Sequence, residues 1–181
     1  MTNKNILIKN GTIIDGTGKP AYNSDIIISQ GKIIDIGKFN ELQDVDIIQA
    51  DGLMVTPGFI DIHSHSDFTL LVDPRAVSSI TQGVTTEVIG NCGYGCNPIT
   101  NTLLAKEAIY GFRNDFSIDW SDMNGYLERL EKEKPSVNVV PLVPNGQLRL
   151  STVGLDIRPA NKDELSKMKN LLIEGLEQGG H

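Results

Sequence analysis

Cysteine is nearly absent from these 181 residues, which contain only Cys92 and Cys96. Two thiols cannot build the disulfide framework that holds small secreted domains together, so each is better read as packing, a ligand or a nucleophile. Long apolar runs are missing as well. No stretch approaches the roughly 18 consecutive apolar residues of a membrane span. The start, Met1-Thr2-Asn3-Lys4-Asn5, lacks the apolar block of a secretory signal. A soluble, cytoplasmic protein without a membrane partner is expected. Clustered positive charge is absent too: 16 Lys and Arg against 23 Asp and Glu leave a net charge of −7. The basic residues are scattered, which disfavours a nucleic-acid partner. What is present is a hydrophobic content of 39%, enough for a core, at a length that fits one domain or a portion of a larger fold.

The first fifty-odd residues alternate as strands do. Ile6-Leu7-Ile8, Thr12-Ile13-Ile14, Asp25-Ile26-Ile27-Ile28, Lys32-Ile33-Ile34 and Ile47-Ile48 are separated by Asn10-Gly11, Asp15-Gly16-Thr17-Gly18, Gln30-Gly31 and Asp51-Gly52. Such pairs accept positive φ and close tight turns, so a small antiparallel β unit is expected over 1–54. From 55 onward the pattern becomes strand, loop, helix. Val55 to Ile62, Val84 to Ile89 and Val137 to Val143 are apolar on both faces, as buried parallel strands are. Between them the pattern predicts helices at 74–82, at 101–112, around Met123, Tyr126, Leu127 and Leu130, and from Asn161 to Gln178 with Leu165, Met168, Leu172 and Leu176 on one stripe. Alternation of this kind reads as a parallel α/β fold over 55–181.

Of three histidines, His63 and His65 lie two apart at a strand end, and the third is His181. Residues i and i+2 of a strand share a face, which aims two imidazoles at one point. Zinc, at about 2.0–2.1 Å from each nitrogen, is the natural occupant. The spacing alone also fits two satisfied histidines in a half-buried strand end. The second strand ends in Gly90-Asn91-Cys92-Gly93-Tyr94-Gly95-Cys96. If the first two parallel strands are neighbours, about 4.8 Å apart, Cys92 falls beside the histidines and its thiolate is a strong zinc ligand. A buried free cysteine in a glycine-rich turn is the alternative. For Cys96 packing is the better reading, because a spacing of four is not a tight metal-clip spacing. The glycines run G-x-x-G-x-G, not the order a pyrophosphate turn requires. Asp61 and Asp67 flank the histidines and fit either orienters or ligands of the metal or, more commonly, solvated or turn-capping carboxylates; of the two, Asp67 is the better functional candidate because it follows the histidines into the loop.

These residues resemble a known group. Val55-Thr56-Pro57-Gly58-Phe59-Ile60-Asp61-Ile62-His63-Ser64-His65, preceded by Ile8-Lys9-Asn10-Gly11-Thr12-Ile13-Ile14-Asp15-Gly16, resembles the amidohydrolase superfamily of metal-dependent hydrolases. Gln82-Gly83-Val84-Thr85-Thr86 leading to Gly90-Asn91-Cys92-Gly93 is similar to the N-acyl-D-amino-acid deacylases, or D-aminoacylases. The similarity runs from Ile6 to Gly179. It implies a TIM-type (β/α) barrel, here its first three strand-helix units over 55–181, preceded by part of a β-sandwich over 1–54. It implies one or two zinc ions, with His63 and His65 as ligands. Cys92 would take the bridging place that other superfamily members give to a carboxylated lysine. Two further histidines and an aspartate general base would come from later strands, so no catalytic residue is expected among these 181 and the chain alone is expected to be inactive.

Two features depart from the group. Where it usually carries Gly-His after the third strand, this chain reads Val143-Pro144-Asn145-Gly146. Asn145 can donate a hydrogen bond near the ligands but cannot titrate near neutral pH or ligate zinc well. The chain also passes from Glu177-Gln178-Gly179 directly to Gly180-His181, as a truncated chain would. The implied reaction is hydrolysis of a small-molecule N-acyl-D-amino acid to a carboxylate and a D-amino acid. Its rivals are a cyclic-amide hydrolase of the dihydroorotase or hydantoinase kind, and a non-catalytic zinc-binding remnant. Three barrel strands would leave an unpaired edge, through which self-association is expected.

Overall fold

The computed structural model describes residues 5–40 and 42–181. The chain divides into two compact units, one ending at Pro57 and one running from Gly58 to His181. The division falls three residues later than the sequence pattern suggests, because Met54–Val55 pairs with the first strand instead of opening the second unit.

The first unit is a five-stranded sheet of β1 (Asn5–Ile13), β2 (Tyr22–Ser29), β3 (Lys32–Gly37), β4 (Val45–Gln49) and β5 (Met54–Val55). Its order is β3-β2-β1-β4, with β5 also on β1. β1, β2 and β3 pair antiparallel, while β4 and β5 run parallel to β1. The sheet is therefore mixed, not antiparallel as expected; alternation encodes which face a residue takes and not the direction of its neighbour. The Asn10-Gly11 pair does not end a strand either. It forms a bulge inside β1, with Asn10 at φ 61° and a register shift between Ile8 and Gly11. Gln30-Gly31 closes the β2–β3 hairpin with both residues at positive φ, the geometry that matches strand twist.

The second unit holds a parallel sheet in the order β6 (Phe59–Asp61), β7 (Val84–Ile89), β8 (Asn138–Pro141). Its helices are α1 (Thr69–Val72), α2 (Val77–Ile80), α3 (Thr102–Ala108), α4 (Met123–Glu133), α5 (Asn145–Leu150) and α6 (Lys162–Glu177). Asn101, Asp122 and Asn161 cap α3, α4 and α6 by accepting backbone N–H bonds that the first helical turn leaves free. The core packs Phe68, Leu70, Leu71, Ile89, Cys96, Trp120, Met123, Tyr126 and Leu130 together. Met123, Tyr126 and Leu130 come from one face of α4, following the helical period.

Three expectations need correction here. The first parallel strand is short and open, with Ile60 62% and Ile62 75% exposed, because β6 is an edge of the sheet and nothing in this unit covers it. The helix expected at 74–82 shrinks to α2, because Ala76 at φ 46° is a left-handed residue that a helix cannot pass through, and α1 precedes the expected range. On α6 the residue buried is Gly175, against Val143, and Leu165 and Leu176 stay exposed. Beyond α6 the backbone of His181 lies along β8, donating to Pro141 O at 2.9 Å and accepting from Val143 N–H at 3.0 Å. No helix among the described residues is long and apolar enough to cross a membrane.

Candidate metal centre

All strands of a parallel sheet present their C-terminal ends on one side, so whatever follows β6 and β7 meets there. After β6 the Asp61 carboxylate accepts the His63 N–H at 3.0 Å, which turns the chain. The Ser64 N–H then donates to Val88 O at 3.1 Å, keeping the histidine loop against β7. The two histidines thus sit in a loop beyond the strand rather than on its face. They still converge, with ring centroids 5.4 Å apart and planes at 67°.

After β7 the chain curls through Gly90 at φ 85°, Cys92 at φ 56° and Gly93 at φ 83°. Asn91 fastens this turn, its Nδ2 donating to Val88 O at 2.8 Å and to Ser64 O at 3.3 Å. The Cys92 sulfur arrives 3.1 Å from His63 Nε2. One donor atom each from His63, His65 and Cys92 lie within 4.8 Å of one another. Two imidazole nitrogens and a sulfur at that separation fit a single ion bound at about 2.0–2.3 Å from each donor, and the set leaves a fourth tetrahedral position open. His63 and Cys92 are exposed and His65 half-buried.

Asp67 does not reach the rings. Its buried carboxyl lies under the influence of the Gly90 N–H, at the start of the turn that carries Cys92, which opposes the effect of burial. Burial pushes this carboxyl up to about 7, and the nearby Glu87 charge adds to the rise. The Tyr126 hydroxyl donates to the Asp67 carbonyl at 2.7 Å, tying the loop to α4. Asn145 is the exposed first residue of α5, and its side chain forms no hydrogen bond with the cluster. Its neighbour Gly146 matters more: a Cβ there would lie 2.3 Å from Gly93 O, so only glycine lets α5 touch the thiol turn. Cys96 is fully buried core, with the Trp120 indole donating to its carbonyl at 2.6 Å and burial pushing its thiol well up.

Several participants escape a reading of the sequence. Tyr94 and Tyr110 stand 6.0 and 6.2 Å from the His65 ring. Glu87, 2% exposed, accepts hydrogen bonds from Ser64, Ser66 and Ser79. Its signal was a lone charge in the otherwise uncharged run of β7. Beside the turn opens a cleft of about 650 Å³ lined by Gly93, Tyr94, Gln147, Leu155 and Ile157.

A profile described as the amidohydrolase family matches residues 46–140. The chain belongs to that family. This amidohydrolase chain is 34% identical over 180 residues to N-acyl-D-aspartate deacylase of Alcaligenes xylosoxydans xylosoxydans, covering 96% of this chain and 34% of that protein. A crystal structure of N-acyl-D-glutamate deacylase from Bordetella bronchiseptica, complexed with zinc and a phosphonate inhibitor mimicking the tetrahedral intermediate, superposes with a TM-score of 0.84. That structure is 31% identical, and the match covers 97% of this chain and 36% of that one. A D-hydantoinase structure superposes with a TM-score of 0.51 at 23% identity, covering 94% of this chain and 31% of that one, a likeness of fold alone. The amidohydrolase chain spans about a third of the length of the curated relatives it matches.

Proposed function

We propose that these residues form part of a zinc-dependent, cytoplasmic hydrolase of linear amides, converting an N-acyl-D-amino acid and water to a carboxylate and a D-amino acid. The observation that carries the reading is the convergence of His63, His65 and Cys92 at the C-terminal ends of two parallel strands. The two deacylase relatives, matched over 96–97% of this chain at 31–34% identity, favour a linear amide over a cyclic one. On this reading the second unit is the opening of a (β/α) barrel, with one or two zinc ions at its mouth.

Zinc bound here would lower the pKa of a coordinated water toward about 7 and polarise the amide carbonyl. The chain's own contribution is to hold the donors. Neutral imidazoles of His63 and His65 offer nitrogen lone pairs, and the Cys92 thiolate offers charge. Asp67 braces the turn behind Cys92, and Asn91 locks turn and histidine loop together. The cleft beside Tyr94 is placed to receive part of the substrate. No carboxylate of the described residues joins the cluster, so proton transfer needs a base from elsewhere and the 181-residue chain alone is expected to hydrolyse N-acetyl-D-methionine negligibly.

Two measurements test the proposal. Zinc content of the purified chain should fall in both Cys92→Ala and His63→Ala; unchanged zinc in both ends the ligand assignment. Substitution of this chain for the matching third of the Alcaligenes N-acyl-D-aspartate deacylase should give a zinc-dependent enzyme that releases D-aspartate from its N-acyl form. A folded chimaera that opens dihydroorotate and leaves the linear amide intact would reverse the choice of substrate.

A further inference from the structure

We propose that Glu87 is a positioning residue for the metal centre, holding the histidine loop in register with the strand that delivers Cys92. The inference rests on the metal reading of His63, His65 and Cys92. A carboxylate buried to 2% exposure needs hydrogen bonds in place of water, and Glu87 obtains them from three hydroxyls. Their distribution is the informative part. Oε2 accepts from Ser64, which lies between the two histidines, and from Ser66, which follows the second. Oε1 accepts from Ser79 on α2. The same Ser64 hydroxyl receives the Ser66 N–H at 3.2 Å, closing a small ring around His65.

One oxygen therefore grips the loop on both sides of His65, and the other leans on the scaffold. Glu87 sits on β7, five residues before Cys92, so this one side chain joins the imidazole-bearing loop to the thiol-bearing strand. No backbone bond can do this alone. The Ser64 N–H to Val88 O bond and the Asn91 amide on Ser64 O hold the loop at Ser64, before His65, whereas Glu87 also holds it at Ser66, beyond His65. Contacts behind the ligands of this kind hold donor atoms in place before the ion arrives, and their loss weakens metal binding about 10–100-fold.

Cobalt replaces zinc as the probe, because a thiolate-bound tetrahedral cobalt ion shows a sulfur-to-metal charge-transfer band and visible bands that report donor geometry. The purified 181-residue chain is titrated with Co2+ beside Glu87→Ala, Glu87→Gln, Ser79→Ala and the double variant Ser64→Ala with Ser66→Ala, with folding followed by circular dichroism. Glu87→Ala and the double serine variant should bind cobalt about tenfold or more weakly, with a displaced charge-transfer band. Glu87→Gln, which keeps the shape and an acceptor oxygen, should recover most of the affinity, and Ser79→Ala should stay close to the parent.

Parent affinity and spectrum in folded Glu87→Ala and in the double serine variant would overturn the proposal, as would an equal loss in Ser79→Ala. Should Glu87→Ala fail to fold, the double serine variant decides alone, because it removes only half-buried hydroxyls. A parent chain without any charge-transfer band removes the metal reading and this inference together. A parent band left unchanged by the variants removes this inference only.

Discussion

Cys92 holds a backbone conformation that suits glycine, at φ 56° and ψ 17°, between two glycines that are also left-handed. A side chain in that region costs about 1–2 kcal/mol, and such strain persists where the side chain has a task. Cys92→Gly should therefore leave the metal-free chain as stable as the parent or more stable by up to about 1 kcal/mol in urea unfolding, while abolishing the cobalt charge-transfer band. A loss above about 1 kcal/mol would show that the thiol is there to pack. Asp25 makes the opposite case, a charge retained for stability. Its buried carboxylate accepts the N–H of Asn10 at 2.8 Å and of Phe39 at 3.1 Å, with Lys38 3.5 Å away. The bond from Asn10 does most to hold its carboxyl below the ordinary range, against the effect of burial. A folded-state value below the unfolded one means stability that is complete above about pH 4 and lost as pH falls through the folded value. Urea unfolding of the N-terminal unit should weaken with acid in that window. Asp25→Asn should flatten the slope and remove about 1–3 kcal/mol at pH 7, and an unchanged slope would exclude Asp25 as its source.

Among the elements, α5 and the thiol turn are the pair most sensitive to a single atom. Gly146→Ala would put its Cβ 2.3 Å from Gly93 O, so helix and turn must part, at a cost of about 1–3 kcal/mol. Both the melting temperature and the cobalt band should respond; a lowered melting temperature with an intact band would show that the turn holds its shape without α5. This coupling was invisible in the sequence, which offered Asn145 and its missing histidine as the conspicuous feature and Gly146 as a bland one. The convergence of His63, His65 and Cys92 was legible because local spacing brings them to neighbouring strand ends. The starts of the helices near residues 101 and 161 were legible for the same reason, being local. Glu87 was not, since its partners Ser64, Ser66 and Ser79 are ordinary residues that only the fold collects. Nor were the parallel strands β4 and β5, because pairing direction depends on how the chain returns and not on the strand's own residues. Helix α1, four residues long, is too short to leave a period at all.

Across the second unit, the expectation of fully buried parallel strands fails at one end. Phe59, Ile60 and Ile62 are 56%, 62% and 75% exposed along the β6 edge. An open edge with apolar side chains pairs readily with another chain, unlike the far side of the sheet, where His181 lies along β8. Size-exclusion chromatography of the 181-residue chain should show apparent mass rising with concentration, and Ile60→Lys with Ile62→Lys should suppress the rise. A single sharp monomer peak at every concentration would refute it. A different consequence follows from where the donors fall. His63, His65, Cys92 and the carboxylate that tethers them all lie within residues 63–92, a span that a ribosome makes in roughly 2–6 seconds. A cation can thus be seated while residues 93–181 are still being synthesised, and β8 then assembles beside a site already loaded.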